Sequence, residues 1–172
     1  MRIKTGDKSK RSSDNHWWTE YVLYKFLTTK YYFFPNCDLA ATEANSLCDY
    51  YYDEELDALI QERWHFPRSK KRLVGWCNPP ADKIGKFLLK VYEQFDTFRI
   101  PTMMIVPSNV EGTKAWWEAV EDPIDRDERI FFKAIKGRPK FLLHGKRTFD
   151  KFGNELSSIN AYKVVIFGRK KR

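Results

Sequence analysis

A chain of 172 residues suits one α/β domain with a real core, and two domains would be cramped. Aromatic residues supply 16% of it, enough for a large core beside 31% charged content, and a net charge of +8 favours polyanionic partners or an anionic cofactor. No apolar run approaches transmembrane length, so no membrane partner is expected, and the polar, basic opening is not that of a signal peptide.

The first fifteen residues form a Lys/Arg/Ser/Asp-rich arm without apolar periodicity, and residues 169–172 form a basic tail, which leaves 16–168 as the domain. Both tails suit either phosphate contact or plain solvation. Trp18, Tyr21, Val22, Phe26 and Leu27 recur at helical spacing, which predicts a helix over 19–29 with Thr19 as its N-cap. A strand follows over 33–40. Leu56, Leu59 and Ile60 share one face of a predicted helix over 53–64. Residues 73–77 read as a strand, 82–95 as a helix, 101–107 as a strand buried on both faces, and 112–120 as a helix. Further strands are predicted at 130–135, 140–143 and 162–167. Strands alternating with helices imply a mostly parallel central sheet with helices on both faces, closed by an antiparallel C-terminal hairpin edge.

Cys37, Cys48 and Cys77 are odd in number and lack Cys-x-x-Cys spacing. That usage fits a reducing, cytoplasmic compartment and argues against a zinc site. His16, His65 and His144 are scattered and make no ligand pattern, so no metal is expected. The chain contains no Gly-x-Gly-x-x-Gly, no Gly-x-x-x-x-Gly-Lys-[Ser/Thr] and no Gly-x-Ser-x-Gly. A nicotinamide or flavin fingerprint, a P-loop and a hydrolase elbow are thereby excluded.

Ligands of an open α/β sheet bind outside the carboxyl ends of its strands, at a topological switch point. Two predicted strands end there in unusual chemistry. The first ends Cys37-Asp38-Leu39-Ala40-Ala41-Thr42, one carboxylate followed by small residues that let a cofactor approach the backbone. The second ends Asn78-Pro79-Pro80. Each proline fixes φ near about −65°, removes an N–H donor and restricts the residue before it. The Asn78 side chain and the carbonyls of Asn78 and Pro79 are therefore pinned acceptors, suited to gripping an exocyclic amine. Such a grip points to an amino-group methyltransferase. A stiff Pro-Pro turn leaving a strand is the structural alternative.

These ordered motifs carry a family resemblance. The chain resembles the small phage-type, Dam-like DNA N6-adenine methyltransferases from about Trp17 to Phe167. Trp17-Trp18-Thr19 is similar to the family's Trp-Thr-Pro-Pro opening, with Glu20 and Tyr21 in place of the prolines. Residues 37–42 resemble its Asp-x-Ala-Ala-Ser cofactor strand, and residues 48–51 and 54–59 the stretch that continues toward the cofactor adenine. Trp76-Cys77-Asn78-Pro79-Pro80 with Ile84-Gly85-Lys86-Phe87 resembles its catalytic strand and helix. Residues 103–108 with Lys114-Ala115-Trp116-Trp117 resemble its next strand and helix, and residues 135–141 its Lys-Gly-Arg-x-Lys-Phe hairpin.

The resemblance implies a Rossmann-like methyltransferase domain that uses S-adenosylmethionine to methylate N6 of adenine in double- or single-stranded DNA. It implies Asn78, Pro79 and Pro80 as the catalytic grip, and Trp18, Thr19, Asp38, Ala40, Ala41 and Asp57 as cofactor contacts. Asp57 sits in an acidic helix start on the sequence alone. Lys133, Lys136, Arg138, Lys140, Lys146 and Arg147 read as phosphate-contacting beside a base pocket, or as a solvated strand face. Family members often place an aromatic directly after Asn-Pro-Pro, where it stacks on the extruded base; here that position is Ala81, with Trp76, Phe141 or Tyr162 as substitutes. Two alternatives stay open: a nucleic-acid-binding protein on a degraded enzyme fold, and methylation of another amine such as cytosine N4 or a glutamine amide. The chain leaves little room for a separate target-recognition domain, so very short sequence specificity is expected.

Overall fold

The computed structural model describes residues 2–3, 17–66, 71–143, 145–155, 158 and 160–168. Nine strands are assigned among them: β1 (Arg2–Ile3), β2 (Trp17–Thr19), β3 (Cys37–Asp38), β4 (Tyr50–Tyr51), β5 (Gly75–Cys77), β6 (Thr102–Pro107), β7 (Ile130–Ala134), β8 (Phe141–Leu143) and β9 (Tyr162–Phe167). Three helical elements accompany them: α1 (Tyr21–Lys30), α2 (Ile84–Phe98), and α3, which runs from Lys114–Trp116 through a π turn at Trp117–Glu121 to Asp122–Ile124. Seven strands form one sheet in the order β1-β4-β3-β5-β6-β9-β7, while β2 and β8 pair separately.

The sheet is mixed, which corrects the mostly parallel expectation. Its centre, β4-β3-β5-β6, is parallel; β1 on one side and β9 on the other run antiparallel to it, and edge strand β7, antiparallel to β9, runs again in the direction of the centre. The hairpin edge also differs from expectation, because β8 leaves to pair with β2 and β9 inserts between β6 and β7. The reason lies in the sequence of β9: Val164, Val165, Ile166 and Phe167 are all fully buried, so the strand needs cover on both faces and a neighbour on both sides.

Alternation along β5, β6 and β9 sorts side chains to two cores. Cys77, Met104, Val106, Val165 and Phe167 pack with Phe87, Leu88, Val91 and Phe95 of α2 and with Trp116 and Val120 of α3. Trp76, Met103, Ile105, Val164 and Ile166 pack with Tyr24 and Leu27 of α1. Helices therefore cover both faces. Each fully buried aliphatic side chain contributes about 1.5–3 kcal/mol.

Local differences have local causes. In α1 the buried side is Tyr24, Leu27 and Thr28, whereas Tyr21, Val22 and Phe26 face solvent. Tyr24 wins the inward position by packing edge-on against Trp76, ring centroids 5.0 Å apart. Thr19 is a strand residue of β2 rather than an N-cap, and Glu20 occupies the cap position without a side-chain bond. The segment 53–64 makes turns instead of a helix, because its carboxylates cap their own backbone. Asp53 Oδ1 accepts the Leu56 N–H (2.9 Å), Asp57 Oδ1 accepts the Leu59 N–H (2.9 Å), and Asp57 has φ +23°. Buried Gln94 of α2 pins this segment, donating to the Glu62 carbonyl (2.7 Å) and accepting the Trp64 N–H (2.9 Å).

The expected N-terminal arm begins with structure, since Arg2–Ile3 pair with Tyr50–Tyr51; residues 4–16 and the basic tail 169–172 lie outside the described residues. No helix of the described residues is long and apolar enough to cross a membrane, and among them no group of three or more His, Cys, Asp or Glu could hold a metal ion.

Candidate active site

The chain passes from β3 to β4 on one side and then returns to β5 on the other, so β3 and β5 flank the switch point. Asn36 locks these two strands: its Oδ1 accepts the Val74 N–H (2.9 Å) and its Nδ2 donates to the Arg72 carbonyl (3.0 Å). Gly75 is needed for the fit, because a Cβ there would lie 2.8 Å from both Leu39 Cδ1 and Thr102 Oγ1. Beyond the strand ends the pairing continues, with Leu39 N–H donating to the Trp76 carbonyl (2.9 Å) and Tyr52 N–H to the Asp38 carbonyl (2.8 Å). Asp38 and Asn78 are thus fixed side by side at the carboxyl edge.

They open onto one cleft of about 730 Å³. Its wall includes Trp18 and Thr19 from β2, Asp38, Ala40 and Ala41 after β3, and the whole Asn78-Pro79-Pro80 run with Ala81. All expected catalytic residues and all expected cofactor contacts except Asp57 are brought together there. Asp57 lines an adjoining pocket of about 50 Å³ that shares Ala40, Ala41, Asn45 and Pro80 with the cleft.

Asp38 is only 4% exposed. Its Oδ2 accepts the Leu47 N–H (3.2 Å) and its Oδ1 the Ala40 N–H (3.4 Å), which orient the carboxylate along the cleft wall. Opposite it, Pro79 is buried and, among the described residues, no donor reaches its carbonyl. The Pro80 carbonyl instead accepts the Lys83 N–H (3.0 Å) and starts the 3₁₀ turn Ala81–Lys83 that leads into α2. The Thr19 hydroxyl is buried without a hydrogen-bond partner among the described residues. An orphaned hydroxyl in a cleft wall leaves a hydrogen bond for a ligand to make.

Aromatic surface comes from the far wall. Phe141 at the start of β8 and Tyr162 at the start of β9 line the cleft as a tilted pair, centroids 4.9 Å apart. Trp76 is 1% exposed and engaged with Tyr24, so it cannot meet a base face. The ring of Trp18 rests on Gly145, where a Cβ would approach Trp18 Cζ3 to 2.6 Å and φ is +75°. Ala81 is exposed at the mouth.

None of the six expected phosphate contacts lines the cleft. Lys133 lies on the edge strand β7, and Lys136 and Arg138 are exposed in the connection to β8. Lys140 pairs with Glu155, and Arg147 reaches Glu155 (3.5 Å) and Glu20 (3.6 Å). Lys146 is exposed near Arg147. Several cleft residues escaped sequence reasoning: Asn45, Leu47, Asn109, Thr113 and Asn160. Short polar loop residues carry no spacing signal. Two leave a trace: Asn45, as the acceptor closing a turn on the Thr42 N–H (2.6 Å), and Thr113, as the N-cap of α3 accepting the Trp116 N–H (3.2 Å).

Cys77 adjoins Asn78, yet its thiol is fully buried, and burial first, then the Asp38 carboxylate, pushes its pKa well up. Cys37 and Cys48 are buried and raised for the same two reasons. Thiolate character is what makes a cysteine reactive. A colorimetric disulfide reagent at mildly alkaline pH should therefore find no thiol in the folded protein and all three after denaturation. A single fast-reacting thiol in the folded state would contradict this and reopen Cys77 as a nucleophile.

No individual curated protein matches the sequence. A family model described as DNA N-6-adenine-methyltransferase (Dam) matches residues 6–169. That span holds both strand ends of the cleft, its aromatic far wall and all but the extremities of the chain, so the chain belongs to the DNA N-6-adenine-methyltransferase (Dam) family.

Proposed function

We propose that this protein is an S-adenosylmethionine-dependent methyltransferase of Rossmann-like fold acting on N6 of adenine in DNA. The observation that carries the reading is the placement of Asp38 and Asn78-Pro79-Pro80 on neighbouring strand ends of a single cleft. The cleft suits the cofactor by the chemistry of its walls: a buried carboxylate for an ammonium, the orphaned Thr19 hydroxyl for a carboxylate, small Ala40 and Ala41 beside the backbone, and an adjoining pocket edged by Asp57. S-adenosylmethionine, once bound, supplies a methyl group on an electrophilic sulfonium.

The adenine N6 lone pair is delocalised into its ring and is a poor nucleophile. The Asn78 side-chain oxygen and the Pro79 carbonyl accept the two N6 hydrogens, which favours a pyramidal nitrogen with its lone pair directed into the cleft. Positive charge develops on that nitrogen, and fixed carbonyl dipoles stabilise it without reorganising. The prolines hold those dipoles in place. The methylated nitrogen is then acidic enough to lose a proton to water, so no protein base is required. Tyr162 and Phe141 offer the adenine its stacking surface.

Stacking at the motif itself is the missing contribution. Base–aromatic stacking is worth about 1–3 kcal/mol per base. Ala81→Phe places a ring at an exposed position of the cleft mouth without crowding a core. It should raise kcat/KM for DNA by roughly tenfold, measured by methyl incorporation at subsaturating DNA. A fall in kcat/KM would place the extruded base elsewhere. The reading as a whole is tested by calorimetric titration with S-adenosylmethionine. Saturable binding is expected, and no binding up to millimolar cofactor would end the proposal.

A further inference from the structure

The connection between β8 and β9 carries a tip that the fold does not need. Phe149 and Phe152 are 57% and 77% exposed there, although the flanking strands supply the cleft residues Phe141 and Tyr162 and the end of the connection supplies Asn160. The tip is built rigidly. Asp150 Oδ1 accepts the N–H groups of Phe152 (2.8 Å) and Asn154 (2.9 Å), and Oδ2 accepts the Asn154 amide (3.0 Å). Asp150 N–H donates to the Asn154 carbonyl (2.9 Å), and Gly153, at φ +82°, closes the turn. Phe149 bridges Glu155 in antiparallel fashion.

The root of this turn is tied to the cleft. Glu155 pairs with Lys140, the neighbour of Phe141, and with Arg147, which also reaches Glu20 beside Thr19. These pairings engage the acids of the turn: Asp150 closes it and Glu155 anchors it. Exposed Lys146 and Lys151 remain as outward cations, with Lys151 Nζ 5.0 Å from the centre of the Phe152 ring. An aromatic ring on a preorganised turn, flanked by two outward lysines and rooted by ion pairs to residues that adjoin the cleft wall, is suited to an anionic, stacked partner. Apolar wedges of this kind enter between base steps of duplex DNA.

We propose that residues 149–155 form a duplex-opening finger. Phe152 enters the base stack beside the target adenine and occupies the space it vacates, Phe149 adds apolar surface, and Lys146 and Lys151 meet the flanking phosphates. This inference rests on the methyltransferase reading and supplies a step it requires, since extruding a paired base costs a few kcal/mol and Ala81 brings no ring to the motif.

Phe152→Ala alters an exposed side chain, so the variant should keep the melting temperature of the parent. On duplex DNA of mixed sequence its kcat/KM for methylation should fall about tenfold, with less than about twofold change on the same DNA made single-stranded. Undiminished duplex methylation, or an equal loss on both substrates, overturns the finger. Titration of the same samples with S-adenosylmethionine separates the two claims. A wild type that fails to bind the cofactor ends the methyltransferase reading, and fluorescence anisotropy then decides the finger. The duplex-to-single-strand affinity ratio should fall about tenfold in Phe152→Ala, and an unchanged ratio rejects it.

Discussion

Replacing Asn78 by alanine is expected to lower kcat for methyl transfer by about 10²–10³, the loss typical of removing one preorganised polar group from a developing charge. The side chain sits at the end of β5, held by the β3–β5–β6 pairing on one side and by two prolines on the other. Alanine leaves that backbone in place. The effect therefore falls on the chemical step, and the dissociation constant for S-adenosylmethionine should move less than about threefold. Single-turnover methylation at saturating cofactor reads the first number, and calorimetry reads the second. Methylation at the wild-type rate would remove Asn78 from the mechanism. A parallel collapse of cofactor affinity would instead assign it to binding.

The second large effect belongs to Asp38→Asn. The substitution keeps the shape of a buried side chain but removes its charge, and it turns an NH2 donor toward one of the two N–H groups, of Leu47 and Ala40, that the carboxylate now accepts. Truncating one partner of a buried, hydrogen-bonded charge pair costs roughly 2–5 kcal/mol. Cofactor affinity should fall by at least about 30-fold, while kcat at saturating cofactor stays within roughly threefold, because the proposed mechanism uses Asp38 to hold the cofactor and not to touch the amine. The split between the two constants distinguishes this from Asn78. An unchanged affinity would mean that the carboxylate serves only the turn at residues 38–47.

How far the sequence reveals the placement of these residues depends on the kind of force that positions each of them. The Asn78-Pro79-Pro80 run and the acidic, small-residue end of β3 were legible because strand termination and proline stereochemistry act locally. The apolar run of β6 was legible too, and it lies fully buried at the sheet centre. Residues 53–64 were not, because side-chain acceptance by Asp53 and Asp57 outcompetes a helical apolar spacing that looks adequate in isolation. The inward side of α1 departs from the apolar spacing for a tertiary reason: Trp76, more than fifty residues downstream of Tyr24, selects it over Tyr21. The pairing of β2 with β8, which forms the Trp18 and Phe141 side of the cleft, joins segments too distant for any local pattern to connect. Charge was the weakest guide. Lys140 and Arg147 are committed to Glu155, so the basic stretch is partly an internal anchor.

The central claim is methyl transfer to adenine N6, and nucleoside analysis tests it most directly. DNA incubated with the protein and S-adenosylmethionine carrying a deuterated methyl group, then digested to nucleosides and resolved by mass spectrometry, should yield labelled N6-methyldeoxyadenosine, with none formed by Asn78→Ala above a trace. Label in N4-methyldeoxycytidine, or no labelled nucleoside from a protein that binds the cofactor, would contradict the account.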